Sequence, residues 1–289
     1  RLGEHVGARG RGMSPRVLAC FGHPDDEAFG TGGTLAKLAA RGVGVSLVCA
    51  TRGEVGEISD PSLATPATLG EVREQELRCA AQALGIDTPI FLGYRDSGMA
   101  GTPENKDPRA FMNADPEEVV VRLVKLMRDL RPQAVVTFEP GGGYGHPDHM
   151  AISRLTTQAF ELAGDRSAFP EVGDPWIIER LFYTTIPRSF FERLVARMRQ
   201  LGMEPPDEDM PRDNPRGLGD DSITTVVDVS ATVDAKWAAI NCHRTQYGAE
   251  SIFRRLPAAD MRDLMSSEYF ALARTHRDGD EPPRDDLLA

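Results

Sequence analysis

The segment Arg16-Val17-Leu18-Ala19-Cys20-Phe21-Gly22-His23-Pro24-Asp25-Asp26-Glu27 joins a short apolar run to a glycine and then to a polar, acidic turn. The run ending at Phe21 does not alternate with polar residues, so it reads as a buried strand. Glu27 to about Arg41 then carries helical spacing, with Leu35, Leu38 and Ala39 on one side and Gly42 as the stop. Working outward, the alternation repeats. Val43–Ala50 reads as a strand, Thr68–Leu84 as a helix ended by Gly85, and Pro89–Leu92 as a short strand. Asp115 with Pro116 opens a helix to about Leu130, aspartate as cap and proline in the first turn. Ala134–Phe138 is the next strand and Pro147–Ala163 the next helix. This pattern predicts an α/β fold, a mostly parallel sheet with helices on both faces. Ligands of such sheets bind beyond the carboxyl ends of the strands. The loops Gly22–Asp26 and Glu139–His149 both leave such ends, so both are expected to open onto one crevice.

The remainder is less regular. Ile177–Thr185 and Ile223–Val229 read as strands, and Pro187–Leu201 and Ala231–His243 as helices. Glu204–Asp221 is rich in Pro, Asp and Gly and reads as an exposed loop. Nothing marks a second core, so one domain is expected over 13–275. Residues 1–12 and 276–289 are expected to be flexible termini.

The 289 residues carry 33 basic against 44 acidic side chains, a formal charge of −11. Nucleic-acid binding needs the opposite excess, so no nucleic-acid partner is expected. No apolar run approaches the ~20 residues that span a bilayer, so no membrane partner is expected either. Cys20, Cys49, Cys79 and Cys242 form no CxxC pair, and the first twelve residues lack the apolar stretch of a signal peptide. A reduced, cytoplasmic protein is the expectation.

The chemistry concentrates in His23-Pro24-Asp25-Asp26-Glu27 and His146-Pro147-Asp148-His149. A catalytic zinc ion takes three protein ligands of N and O type and keeps a position for water. His23 and Asp26, three residues apart at a loop-to-helix junction, can point the same way, as can His146 and His149. One imidazole of the second pair can bind metal while the other faces substrate. The neighbours Asp25 and Asp26 diverge, so one can be a ligand and the other a base for the attacking water. No G-x-S-x-G, P-loop or G-x-G-x-x-G signature is present.

These two segments, with Thr51-Arg52-Gly53-Glu54, Arg73-Glu74-Gln75-Glu76 and Tyr94-Arg95-Asp96-Ser97-Gly98 between them, resemble the LmbE-like, or PIG-L, family of zinc-dependent N-acetylglucosaminyl deacetylases. The resemblance covers about Val17 to Ala163 well and the rest loosely. It implies a Rossmann-like fold and a Zn²⁺ cofactor held by His23, Asp26 and His149, a donor set that also suits other divalent first-row metals. It implies Asp25 as general base and His146 as the group that stabilises the tetrahedral intermediate or protonates the leaving amine. Asp148 would orient an imidazole. Tyr144 lies where mycothiol-pathway members of the family place a tyrosine that assists the oxyanion. Arg73 and Asp96 become candidate substrate contacts, and His243 is expected to approach the pocket from the C-terminal part. The implied substrate is a small N-acetylated amino sugar or its conjugate. Thiol-conjugate amidase and hydratase chemistry on the same metal, and sugar binding without turnover, are the rival readings. A homo-oligomer is consistent with the family.

Overall fold

The computed structural model describes residues 14–204, 219–248, 251–277, 279 and 281–289. The expected extension 1–12 and most of the predicted loop Glu204–Asp221 lie outside these residues. The elements run β1 (Arg16–Phe21), α1 (Asp26–Ala40), β2 (Gly44–Thr51), α2 (Leu69–Leu84), β3 (Ile90–Tyr94), α3 (Pro116–Leu130), β4 (Ala134–Phe138), α4 (Gly142–Gly145) and α5 (Pro147–Ala163). They continue β5 (Arg180–Thr185), α6 (Arg188–Gln200), β6 (Thr225–Asp228), α7 (Val233–Cys242), α8 (Ile252–Arg255), α9 (Ala258–Leu264) and β7 (Ser267–Thr275). Asp115 caps α3 as expected, its side chain accepting from the Glu117 N–H.

The seven strands form one sheet in the order β3-β2-β1-β4-β5-β7-β6. The first five are mutually parallel, and β7 pairs antiparallel with both β5 and β6. Strand β1 shows why its sequence is apolar without alternation. Val17, Ala19 and Phe21 enter the core on one face, and Leu18 and Cys20 enter the core on the other. Leu35 and Leu38 of α1 and Leu77 of α2 cover the first face. Leu123 of α3 and Leu155 of α5 cover the second. A third cluster stacks α7 and α9 outside α1 and α2. The fold is thus the expected one, with helices on both faces.

Three features depart from expectation. Ser267–Thr275 is a strand that the sequence reading left unassigned; its Glu268 and Phe270 are buried while the residues beside them are partly exposed. The tail, expected to fray from His276, folds back along β6. The Val226 N–H donates to the Arg284 carbonyl at 2.8 Å and Leu287 is 1% exposed. Cys79 and Cys242, expected to be reduced, form a disulfide. Packing of α2 against α7 brings their Cα atoms to 5.8 Å, within disulfide reach, although 163 residues separate them. Cys20 and Cys49 are free and buried. Among the described residues, no helix is long and apolar enough to cross a membrane.

Candidate active site

In this strand order the chain reverses direction across the sheet between β1 and β4. That switch point leaves a crevice at the strands' carboxyl ends. The loop after β1 carries His23 and Asp25, and the loop after β4 carries Tyr144 and His146. Gly22 lets the two meet, because a Cβ there would lie 3.1 Å from His149 Cδ2.

Three side chains converge. His23 Nδ1 lies 3.0 Å from His149 Nε2, and His149 Nε2 lies 3.2 Å from Asp26 Oδ1. His23 Nδ1 is 3.7 Å from Asp26 Oδ2. Ligands about 2.0–2.1 Å from a tetrahedral ion stand about 3.3 Å from each other. Each imidazole nitrogen thus has one Asp26 oxygen at 3.2–3.7 Å, and two imidazoles with a carboxylate are donors that suit a divalent metal. His146 also falls within reach, since one ligand atom each from His23, His146 and His149 lies within 4.8 Å of the others.

The nitrogens turned away from this centre are tied to the protein. His149 Nδ1 is 3.0 Å from the Gly142 carbonyl. His23 Nε2 is 3.1 Å from Asp148 Oδ2 and 3.5 Å from Asp96 Oδ1. Such outer contacts fix the tautomer and aim of a ligating imidazole. The two carboxylates outweigh burial and push the His23 pKa up. Asp148 is fully buried and accepts from the Ser97 N–H at 2.9 Å and from the Ser97 hydroxyl. Asp26 Oδ2 accepts from the N–H groups of Gly22 at 3.1 Å and His23 at 2.7 Å. Burial opposes ionisation of Asp26, but the nearby His149 and His23 hold its pKa below the usual carboxylate range.

Asp25 differs from its neighbour in every respect. It occupies the N-cap position of α1 but makes no capping bond with its side chain. Its φ of 121° lies in a region that only glycine enters freely. A residue held there costs on the order of 1–3 kcal/mol and persists only when its surroundings over-determine it. Burial, opposed by the Arg73 guanidinium, pushes its pKa up to about 6.

His146 caps α5 through Nδ1, which accepts the Asp148 N–H at 3.2 Å. Its proton therefore sits on Nε2. Burial and the adjacent His23 and His149 lower its pKa to about 4, so the ring is neutral near pH 7. Tyr144 stands at the rim, 62% exposed, its ring centroid 5.0 Å from that of His149. The chain reaches it through Gly142, where φ is +67° and a Cβ would lie 2.7 Å from His149 Cβ. Only glycine satisfies both conditions.

Three candidate substrate contacts are placed otherwise. Arg73 is 3% exposed and spends its donors internally, on the Gly53 carbonyl at 3.0 Å and the Pro24 carbonyl at 2.6 Å. A Cβ on Gly53 would lie 2.2 Å from Arg73 Nη1, so the glycine exists to admit the guanidinium. Asp96 is 3% exposed, turns to His23 and accepts from the N–H groups of Val55 at 3.2 Å and Gly98 at 2.8 Å. His243 is 0% exposed and meets Glu27 Oε1 at 2.7 Å. All three are buried by the residues packed around them. Glu27 and Ser97 were missed as contributors. Glu27 lay inside the quoted motif and read only as an acidic helix start.

A mostly parallel sheet with a two-histidine, one-aspartate cluster at its switch point, and a further carboxylate next in sequence, has the build of a metal-dependent hydrolase. The chain belongs to the PIG-L family, whose description is GlcNAc-PI de-N-acetylase and which it matches over residues 18–160. It is 40% identical over 278 residues to the 1D-myo-inositol 2-acetamido-2-deoxy-alpha-D-glucopyranoside deacetylase of Streptomyces scabiei, covering 91% of this chain and 86% of that protein. Among solved structures it resembles the N,N'-diacetylchitobiose deacetylase of Pyrococcus horikoshii, with a TM-score of 0.63, 21% identity and coverage of 90% of this chain and 84% of that one. It also resembles a 4-carboxy-2-hydroxymuconate hydratase of Pseudomonas putida, with a TM-score of 0.58, 20% identity and coverage of 92% and 99%. These two structural likenesses show a shared fold.

Proposed function

We propose that this protein is a zinc-dependent deacetylase acting on an N-acetylglucosaminyl conjugate, with the inositol conjugate first among substrates. The observation that carries this reading is the juxtaposition of the His23–Asp26–His149 cluster with Asp25, a carboxylate free of capping duty. The identity to inositol-conjugate deacetylases supports the choice of substrate.

His23, Asp26 and His149 would hold the ion. When bound, it supplies Lewis acidity, polarising the amide carbonyl and making water acidic enough to lose a proton near neutral pH. Asp25 accepts that proton as the water oxygen bonds to the carbonyl carbon. The neutral His146 offers its Nε2–H to the developing oxyanion, and the Tyr144 hydroxyl does so from the open side. A tyrosine phenol keeps its proton near neutral pH, so the Tyr144 hydroxyl is available as a donor. Asp25 then returns its proton to the nitrogen as the C–N bond breaks, leaving acetate and a free amine. Asp148 and Asp96 act through His23 by fixing its ring.

The test is amine release by the zinc-loaded protein from N-acetylglucosaminyl-inositol and from short chito-oligomers. Release of amine and acetate in equal amounts is expected. Absence of amine from every acetylated amino sugar offered overturns the reading, and a hydrated carbon skeleton from an unsaturated acid replaces it with the hydratase one.

A further inference from the structure

Glu27 is the second residue of α1 and is 1% exposed. Its Oε2 accepts the backbone N–H of Asp25 at 3.0 Å, and its Oε1 meets His243 Nε2 at 2.7 Å across 216 residues of chain. A carboxylate acts only as acceptor, so His243 donates. This is the only side-chain hydrogen bond of His243 among the described residues, and its Nδ1 has no partner.

The far end is anchored. Thr245 donates through its N–H to Glu76 Oε1 at 2.8 Å and through its hydroxyl to Glu76 Oε2 at 2.6 Å. The Ser59 N–H donates to the Thr245 carbonyl at 2.9 Å, and Cys242, next to His243, is bonded to Cys79. The imidazole thus projects from a segment pinned to α2.

Ordinary capping would need Glu27 alone and would leave its second oxygen in water. Here that oxygen is buried against a histidine from the opposite end of the chain. The first oxygen ends on the backbone of Asp25, the residue with φ 121° that is read above as the base.

We propose that Glu27 and His243 form a positioning strut for Asp25. His243 braces the Glu27 carboxylate, and Glu27 holds the Asp25 backbone in the conformation that turns its carboxylate to the attacking water. The strut rests on the reading of Asp25 as base. Neither residue touches substrate or metal.

The experiment uses the full-length, zinc-loaded protein with N-acetylglucosaminyl-inositol as substrate, measuring zinc stoichiometry, kcat and KM. Glu27→Ala should lower kcat roughly 10–10²-fold, the scale of an ångström misplacement, with zinc content and KM near wild type. Glu27→Gln should keep most of the rate, since its amide can accept from Asp25 and donate to His243 in the other tautomer. The deciding comparison is made in the Asp25→Asn background. There Glu27→Ala should cost nothing further, because the group it positions is already disabled. His243→Phe, which keeps a ring in the cavity, should follow the same pattern and serves if Glu27→Ala does not fold. Wild-type kcat in both variants overturns the strut. So does zinc loss from Glu27→Ala, or losses that multiply with Asp25→Asn. Full activity of Asp25→Asn alone overturns the base assignment instead, so the two failures are distinguishable.

Discussion

Arg73 Nη2 lies 3.3 Å from Asp25 Oδ2 and 2.6 Å from the carbonyl oxygen of Pro24, the residue before it. One guanidinium therefore holds both the carboxylate and the chain that presents it. Asp25→Asn keeps the shape and gives up the proposed proton acceptor. Zinc should stay bound and kcat should fall roughly 10²–10⁴-fold. Asp25 must be ionised to accept a proton, so activity of the wild type should fall as pH drops below about 6. The acidic limb of the pH–rate profile should flatten in the variant. Zinc loss, or an unchanged limb, would place the base elsewhere.

Arg73→Lys separates a positioning role from a substrate contact. Lysine cannot reproduce the fork that reaches the Gly53 and Pro24 carbonyls together. Turnover should drop with KM little changed, and thermal unfolding should shift downward. A rise in KM at constant kcat would restore the substrate-contact reading.

Asp26→Ala removes one proposed ligand and the acceptor for two backbone N–H groups. Metal content, measured after dialysis against dilute zinc, should fall along with activity. Stoichiometric zinc at wild-type affinity would remove Asp26 from the ligand set.

Tyr144→Phe tests the rim. The ring is largely exposed, so stability and zinc content should hold. Turnover should fall about 10–10³-fold if the hydroxyl meets the oxyanion. An unchanged kcat would reduce the residue to a wall of the crevice.

The Cys79–Cys242 bond closes a loop of more than 160 residues. Its reduction, or Cys79→Ser, should lower unfolding stability by about 2–5 kcal/mol. Denaturant midpoints with and without reductant measure this, and equal midpoints would show that the bond adds nothing.

The parallel half of the sheet was readable because strands buried on both faces leave unbroken apolar runs, as Val17 to Phe21 does. The helix ends at Asp115 and Gly85 were readable because caps are local chemistry. Strand β7 was not, because a half-exposed strand such as Ser267–Thr275 mixes apolar residues with Glu268 and Arg274. In the site, local spacing brought His23 near Asp26 and His146 near His149. What the spacing could not carry was depth. Arg73, Asp96 and His243 have the residue types of substrate contacts, yet long-range packing buries each of them. The Glu27–His243 and Cys79–Cys242 pairs are likewise made by helix packing and leave no local trace.

Strand β6 is one of the two edge strands of the sheet, a position where unpaired backbone groups invite a foreign strand. The returning tail occupies that position. It takes the Val226 N–H at Arg284 and the Thr225 hydroxyl at Pro283, and it seats Leu287 in the core. These few residues thus act as a guard against self-association. A chain shortened before Pro283 would keep every group of the crevice and yet be prone to aggregate.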